Sequence, residues 1–212
     1  FSHFRDLLSE RENINISYSA LYNILKNNGI NSKKSHRSKK IHRRRKRKEY
    51  EGMLVQTDGT PFDWFNTGKM YSLHGYIDDA TGKILGLYMC ENECLMGYLE
   101  ITRQMLQNYG SPVAIYSDKY SVFFPTASQK VTLEEQLEGK EKPTTQFYRI
   151  MDILGIELIA ASTSQAKGRI ERLWQTLQDR LVTEFKLNNI VTIEQANEFL
   201  PKYITKYNKQ FA

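Results

Sequence analysis

Long apolar runs and cysteines are scarce in this chain of 212 residues. No segment has the roughly 18 consecutive apolar residues of a membrane-spanning helix, and no signal-peptide pattern is present, so the cytoplasm is the expected location. The two cysteines, Cys90 and Cys94, form no CxxC pair and have no histidine at zinc-ligand spacing. We therefore expect neither a disulfide framework nor a zinc site, and we predict that both are small core residues. His74 is expected to be structural or solvated.

Acidic residues are absent from one stretch of the chain. Residues 33–48 read KKSHRSKKIHRRRKRK, with eleven Lys or Arg. Taking these from the 30 basic residues leaves 19 against 24 acidic ones, so the remainder carries a net charge of about −5. A run this dense repels itself, which predicts a basic linker over residues 33–49 that lies along a polyanion. A solvated tail or a localisation signal has the same composition. The DNA-binding candidates in the linker are Arg43, Arg44, Arg45, Lys46 and Arg47.

The segment before the linker has helical spacing. Phe4, Leu7 and Leu8 predict one short helix, and residues 17–27 predict a second, with Ser17 as its N-cap. Two short helices with a tight connection favour a partial helix-turn-helix DNA-binding domain over residues 1–32, although a generic helical hairpin has the same pattern. The chain starts without Met inside a predicted helix, which favours a fragment of a longer protein.

After the linker the pattern changes to short strands and then to alternating strands and helices. This order predicts an α/β fold, a ribonuclease H-like mixed five-stranded sheet flanked by helices, over residues 50–188. Residues 189–212 are expected to form a C-terminal helix that packs on or follows this core, and residues 121–143 to form an insertion. Strands are predicted at 53–58, 71–77, 84–90, 113–116 and 157–160, and helices at 93–108, 145–154 and 167–187.

Three acids fall where this topology brings them together. Asp58 ends the first predicted strand in VQTDGTP, Asp118 ends the fourth in IYSDKYSVF, and Glu171 lies in the first turn of the last long helix in SQAKGRIERLW. Carboxylates that lie this close repel one another unless a cation neutralises them. Oxygen-only ligands suit Mg²⁺ or Mn²⁺, and two such ions about 4 Å apart activate one phosphate oxygen and stabilise the leaving one.

Glu171 and several other acids can also be explained as structural or surface residues without a catalytic role. Glu171 can be read as a surface acid paired with Lys167 at i and i+4. Asp78 and Asp79 stand in the turn DDATG, where Asp commonly caps the backbone. Asp63 is a closer rival to Asp58, but it falls in the loop beyond the predicted strand end.

Together, the motifs TDGTP, YIDDATGKILG, YSDKYSVF and SQAKGRIERLW resemble the catalytic core of the DDE transposase and retroviral integrase superfamily, in particular ISNCY-like bacterial insertion-sequence transposases. The resemblance covers residues 51–187, and KGRIERLW is its most specific element. It implies that Asp58, Asp118 and Glu171 are the catalytic acids and metal ligands, with two Mg²⁺ or Mn²⁺ ions. It also implies a role near DNA for Lys167. The expected partners are double-stranded DNA, as transposon ends and target, and further copies of the chain, without a membrane.

The chain departs from retroviral integrases in two respects. Their spacing would put the third acid at Leu154, which cannot bind metal, whereas 52 residues separate Asp118 from Glu171 here. The insertion at 121–143 accounts for the excess. Asp152 lies near the retroviral spacing but falls in a predicted helix, where we expect it to face solvent. The zinc-binding histidine and cysteine pairs of the integrases are also absent, and the helix-turn-helix takes their place.

The expected chemistry is metal-assisted phosphoryl transfer on DNA. Water attacks a phosphodiester at the transposon end, and the freed 3′-hydroxyl then attacks target DNA. The protein positions the reactants and stabilises charge, in keeping with the absence of a Ser, Cys or Tyr nucleophile constellation. Two alternatives remain open at this point: a nuclease of the same fold that does not join strands, and a helix-turn-helix DNA-binding regulator with an inert core.

Overall fold

The computed structural model describes residues 1–31, 46–125, 144–161 and 167–212. The chain divides into two compact units, Phe1–Arg43 and Arg44–Ala212. The predicted DNA contacts Arg43, Arg44 and Arg45, and most of the predicted insertion, lie outside the described residues. None of the helices in the described ranges is long and apolar enough to cross a membrane.

The first unit contains two helices, α1 (Ser2–Glu12) and α2 (Tyr18–Asn27). α2 begins as the sequence predicts, because the Ser17 hydroxyl accepts a hydrogen bond from the Ala20 amide at 3.2 Å and satisfies a free N–H of the first turn. Asn13 caps the C-terminus of α1, and its left-handed backbone (φ 55°) turns the chain toward α2. The helical hairpin is therefore present, whereas its action on DNA stays a prediction.

The second unit is built on a five-stranded sheet of order β3-β2-β1-β4-β5. The first three strands form an antiparallel meander, β4 runs parallel to β1, and β5 runs parallel to β4. This is the mixed sheet that the sequence predicts. Its strands are β1 (Val55–Phe62), β2 (Tyr71–Asp78), β3 (Ile84–Cys90), β4 (Ala114–Ser117) and β5 (Glu157–Ala160).

The first strand is longer than its sequence pattern predicts. β1 pairs with β2 along all eight residues, from Val55 to Phe62, but with β4 only at Val55 and Gln56. The prediction that Asp58 ends the strand is therefore wrong: Asp58 lies inside β1, two residues beyond the last pair with β4. The consequence for the site is small, because β4 ends there and Asp118 follows it directly.

Helices cover both faces of the sheet and bury two apolar clusters. One cluster joins β2 and β3 to α5 (Gly168–Leu187) and α6 (Ile193–Phe211), and the other joins β1 and β4 to α3 (Leu95–Asn108) and α4 (Gln146–Ile153). The predicted apolar stripe of α5 is confirmed as core. Its members are Ile170, Leu173, Trp174, Leu177 and Leu181.

Side-chain amides cover the outer edge of the sheet at β3. Each of three amides both accepts from and donates to the backbone of one β3 residue, at 2.8–3.2 Å. An edge strand left open would offer its free N–H and C=O groups to another chain, so these contacts protect the edge. The pairs are Asn197 with Met89, Asn208 with Ile84, and Gln104 with Leu87.

Candidate active site

Asp58 and Asp118 lie on either side of one buried ammonium group. The Lys167 Nζ donates to Asp58 Oδ1 at 2.8 Å and lies 3.7 Å from Asp118 Oδ2. The Lys167 side chain is 8% exposed, that of Asp58 21%, and that of Asp118 49%. The pairing of β1 with β4 thus brings two of the predicted acids together where β4 ends, around the ammonium group of Lys167.

The second oxygen of Asp58 is also held. Trp174 of α5 donates its indole N–H to Asp58 Oδ2 at 3.2 Å. The ring reaches this position because Gly75, opposite Asp58 on β2, has no side chain: a Cβ there would lie 2.7 Å from the ring. Burial raises the pKa of Asp58, and it outweighs the opposing effects of the Lys167 charge and of the hydrogen bonds from Lys167 and Trp174.

Glu171 is held differently. It lies in the first turn of α5, four residues after Lys167, and its side chain is exposed. Within the described residues it makes no hydrogen bond or ion pair, and its oxygens do not join those of Asp58 and Asp118 in one group within 4.8 Å. Lys167 pairs with the two aspartates rather than with Glu171. The structure therefore brings Asp58 and Asp118 together around Lys167. Glu171, the third predicted acid, lies one helical turn beyond Lys167 along α5.

A buried amide fixes the start of α5. Lys167 at the N-cap offers no side-chain cap, and Gln56 of β1 takes over this role: its Oε1 accepts from the amides of Arg169 and Ile170 at 3.2 Å. Gln56 has no exposed surface. Because Gln56 precedes Asp58 by two residues, one strand holds both the first acid and the helix that carries Glu171.

Asp79 orients that amide. It accepts from Gln56 Nε2 at 3.0 Å and from the Lys48 backbone at 2.9 Å, and it lies 3.4 Å from Arg169 Nε. The turn-cap interpretation is right for Asp78, which accepts from the backbone and hydroxyl of Thr81. It is incomplete for Asp79, whose contacts reach the basic linker and the start of α5. No sequence pattern reports such long-range contacts.

A fourth carboxylate beside Asp58 was not predicted from the sequence. Glu93 lies just before α3, and the Tyr98 hydroxyl donates to it. A Cβ on Gly59 would lie 2.9 Å from Glu93 Cδ, so the glycine next to Asp58 makes room for it. Burial raises the pKa of Glu93, and the charges of Asp58 and Asp118 add to this effect. Its only signal in the sequence is its position in the short connection between β3 and α3.

The other candidate residues lie elsewhere. Asp63 accepts from the amides of Thr67 and Gly68 at 2.9 and 2.8 Å, which is a turn contact. Asp152 is exposed on α4, as predicted. Of the predicted DNA contacts in the linker, Lys46 and Arg47 are described and exposed, and Arg47 donates to the Ala80 carbonyl at 3.3 Å.

The chain is similar to two bacterial transposases over nearly its whole length. It is 38% identical over 241 residues to the transposase for insertion sequence IS1202 of Streptococcus pneumoniae, covering 99% of this chain and 50% of that protein. It is 39% identical over 207 residues to a protein of Sinorhizobium fredii (strain NBRC 101917 / NGR234) named as a candidate transposase, y4bF, covering 97% and 43%. The chain thus spans about half the length of these curated relatives. No family model matches it.

A solved structure supports the fold. The chain resembles one in the simian T-cell lymphotropic virus intasome in complex with PP2A regulatory subunit B56 gamma, with a TM-score of 0.52 and 17% sequence identity. The match covers 86% of this chain and 59% of that chain. At this identity the likeness concerns the fold, and the predicted ribonuclease H-like sheet with flanking helices is confirmed.

Proposed function

Because the chain is 38% and 39% identical over nearly its whole length to two bacterial transposases, we propose that it belongs to the transposase and integrase superfamily and supplies the core for divalent-metal-dependent cleavage and transfer of DNA strands at transposon ends. The observation that carries the proposal is the Lys167 ammonium between Asp58 and Asp118. Two carboxylates that together hold an almost buried ammonium group have the negative charge and the closeness that a metal cation requires.

The donor set fits Mg²⁺ or Mn²⁺. Asp58, Asp118 and Glu171 offer carboxylate oxygens only, which hard divalent cations prefer. A pair of bound ions would supply activation of the attacking oxygen and stabilisation of the leaving one. Lys167 and Trp174 orient the Asp58 carboxylate through hydrogen bonds, whereas the exposed side chain of Glu171 can turn toward the metal.

The chain's own residues then position the reactants. Lys167, released from the acid pair, has its ammonium at the edge where a DNA phosphate would lie, in keeping with its proposed role near DNA. Gln56 keeps the first turn of α5 at this edge through its two backbone contacts. Water attacks the phosphodiester first and the freed 3′-hydroxyl attacks target DNA second, so no covalent protein intermediate is needed.

The proposed partner is double-stranded DNA, as transposon ends and as target, bound by several copies of the chain. The helical hairpin would enter the major groove and the linker would follow the phosphates, in the cytoplasm at the nucleoid. Replacing Arg43, Arg44 and Arg45 with Ala should weaken binding to all DNA sequences alike. The slope of log K against log salt should shrink by up to about 0.9 for each phosphate that is no longer neutralised, roughly 2 to 3 in total. An unchanged slope would show that Arg43, Arg44 and Arg45 do not neutralise DNA phosphates.

The direct test is a cleavage and strand-transfer assay on the element's own DNA ends with Mg²⁺ or Mn²⁺. We expect nicked ends and joined products from the parent chain, and neither from Asp118→Asn at equal DNA binding. Cutting without joining would favour a nuclease of the same fold. DNA binding without metal-dependent cutting would favour a regulator with an inert core.

A further inference from the structure

A second cluster of metal-binding side chains lies apart from the three acids. The ligand atoms of His74, Cys90 and Cys94 all lie within 4.8 Å of one another, and among the described residues this is the group of His, Cys, Asp or Glu side chains that reaches such closeness. The expectation for the cysteines needs correction, because both are partly exposed rather than core. Of the two alternatives for His74, the structural one fits, because the ring is fully buried and has partners on both nitrogens. Sequence spacing missed the group because the pairing of β2 with β3 places His74 opposite Tyr88, two residues before Cys90.

The His74 ring is held by backbone contacts on both of its nitrogens. Its Nδ1 lies 3.3 Å from the Tyr88 carbonyl, and its Nε2 lies 3.1 Å from the Cys94 amide nitrogen. The amide can only donate, so Nε2 carries the lone pair and Nδ1 carries the proton. A histidine that donates one ring N–H to a backbone carbonyl and presents the other nitrogen is the usual arrangement of a metal ligand.

The neighbouring backbone fits closely around this ring. A Cβ on Gly97 of α3 would lie 2.5 Å from the ring atoms, and Tyr98 packs edge-on against it at 4.8 Å between centroids. The ring therefore has little freedom to turn its Nε2 elsewhere. Cys94 occupies the N-cap of α3.

We propose that His74, Cys90 and Cys94 bind a Zn²⁺ ion, with a fourth position open to water. Two cysteines separated by three residues fall within the ligand spacing typical of zinc sites, and Cys₂His is a known zinc ligand set. Tetrahedral zinc at about 2.0–2.3 Å from its ligands requires ligand separations of about 3.3–3.8 Å. The ligand atoms, which lie within 4.8 Å of one another, reach this by closing by up to about 1.5 Å, and the Cys94 amide gives up its hydrogen bond to Nε2.

The ion would act on the loop rather than on DNA. Residues 91–93 lie between the two cysteines, and Glu93 at their end is the carboxylate beside Gly59. Zinc would tie both ends of this loop to His74 and so fix Glu93 next to the first catalytic acid. Mg²⁺ does not substitute there, because thiolate and imidazole ligands select softer metals.

The test uses Co²⁺ as a spectroscopic substitute for Zn²⁺ on the whole chain, reduced and kept free of oxygen. We expect about one Co²⁺ per chain to give a thiolate charge-transfer band that an equal amount of Zn²⁺ removes. Cys90→Ser and Cys94→Ser, which each change one atom, should lose the band and at least about 100-fold in Co²⁺ affinity, beyond the 10–100-fold typical of outer-shell changes. Asp118→Asn should keep the band, because the acid pair contains no sulfur.

The titration distinguishes a zinc site from a redox pair of cysteines. A band that both serine variants retain, or a reduced parent chain without a band, would overturn the proposal. A reduced chain without a band that forms a Cys90–Cys94 disulfide in air, seen by intact mass, would identify a redox pair instead. Circular dichroism of the serine variants checks that they fold, so that loss of the band reports loss of ligands.

Discussion

The two halves of the candidate active site are held to very different degrees. On the strand side, Asp58 has a donor on each oxygen and is 21% exposed. On the helix side, Glu171 is exposed and makes no hydrogen bond or ion pair within the described residues. The backbone under Glu171 is nevertheless fixed, since Gln56 caps the start of α5. The site thus combines a positioned carboxylate with one that is placed by its helix but free in its side chain.

This difference would let the proposed metal site fold before an ion binds. Three ionised acids close to one another repel, and each must be neutralised or kept apart. Here the single Lys167 ammonium offsets the repulsion between Asp58 and Asp118, and water solvates the exposed Glu171. The comparison predicts that changes in the exposed half alter activity with little effect on stability, and that changes in the held half alter both.

The largest effect is expected at Glu171. Glu171→Gln is nearly isosteric but removes the charge, so we expect cleavage to fall at least on the order of 100-fold while DNA binding stays intact. Folding stability should change by less than about 0.5 kcal/mol, as is usual for an exposed side chain without partners. Single-turnover cleavage, a binding titration and urea unfolding measure the three quantities.

Asp152 provides the matched control for that variant. It is another exposed helical acid and lies near the retroviral spacing. Asp152→Asn should keep cleavage within a few-fold of the parent chain. An active Glu171→Gln beside a folded but inactive Asp152→Asn would refute the assignment of the third acid, together with the insertion that explains its spacing.

The next effect concerns the hydrogen bonds that join the two halves. Gln56→Leu removes the acceptor for two amides at the start of α5 and a donor to the buried Asp79. Each buried group left unsatisfied costs about 1–3 kcal/mol, so we expect the free energy of unfolding to fall by about 3 kcal/mol or more in urea. Gln175→Leu, on the exposed side of α5, is the control. Equal stability of the two variants would show that the cap does not hold the helix.

A smaller effect is expected from the metal itself. Mg²⁺ or Mn²⁺ at 100 times its Kd should stabilise the fold by about 2.7 kcal/mol, measured as a rise in melting temperature. Lys167→Gln should bind the metal more tightly, since the competing ammonium is gone, and should be less stable than the parent chain without metal. Asp118→Asn should lose most of the response. Melting curves that metal leaves unchanged in all three proteins would argue against a preformed site.

Local chemistry explains why much of the fold was predictable. Ser17 caps α2, the stripe from Ile170 to Leu181 marks the buried face of α5, and short strands separated by turns mark the meander. The acids Asp58 and Asp118 were accessible to the same reasoning, because β1 and β4 are neighbours and Asp58 lies just beyond the point where β4 ends. Their role as metal ligands, with that of Glu171, stays a prediction.

What the sequence did not reveal depends on contacts between distant residues. Gln56 and Asp79 look like an ordinary strand residue and a turn residue, and only the packing of α5 on β1 gives them their function. His74 meets Cys90 and Cys94 through strand pairing rather than through spacing. The extension of β1 past Asp58 was missed because Gly59 and Pro61 read as a turn, although β2 pairs with them throughout.

The smallest expected effect is a dependence on pH that distinguishes Asp58 from Glu171. Burial raises the pKa of Asp58 above its ordinary 3.8, so the folded chain without metal binds this proton more tightly than the unfolded chain does. The contribution of Asp58 to stability is therefore full below pH 3.8 and is lost as the pH rises through the raised pKa. Asp58→Asn resembles the protonated form, so without metal it should be more stable than the parent chain at neutral pH. That advantage should vanish below pH 3.8, and at neutral pH it should reverse in saturating Mg²⁺. Urea unfolding across this pH range, with Glu171→Gln as the exposed control, measures the difference. A variant less stable than the parent chain at neutral pH without metal would show that the contacts with Lys167 and Trp174 outweigh burial.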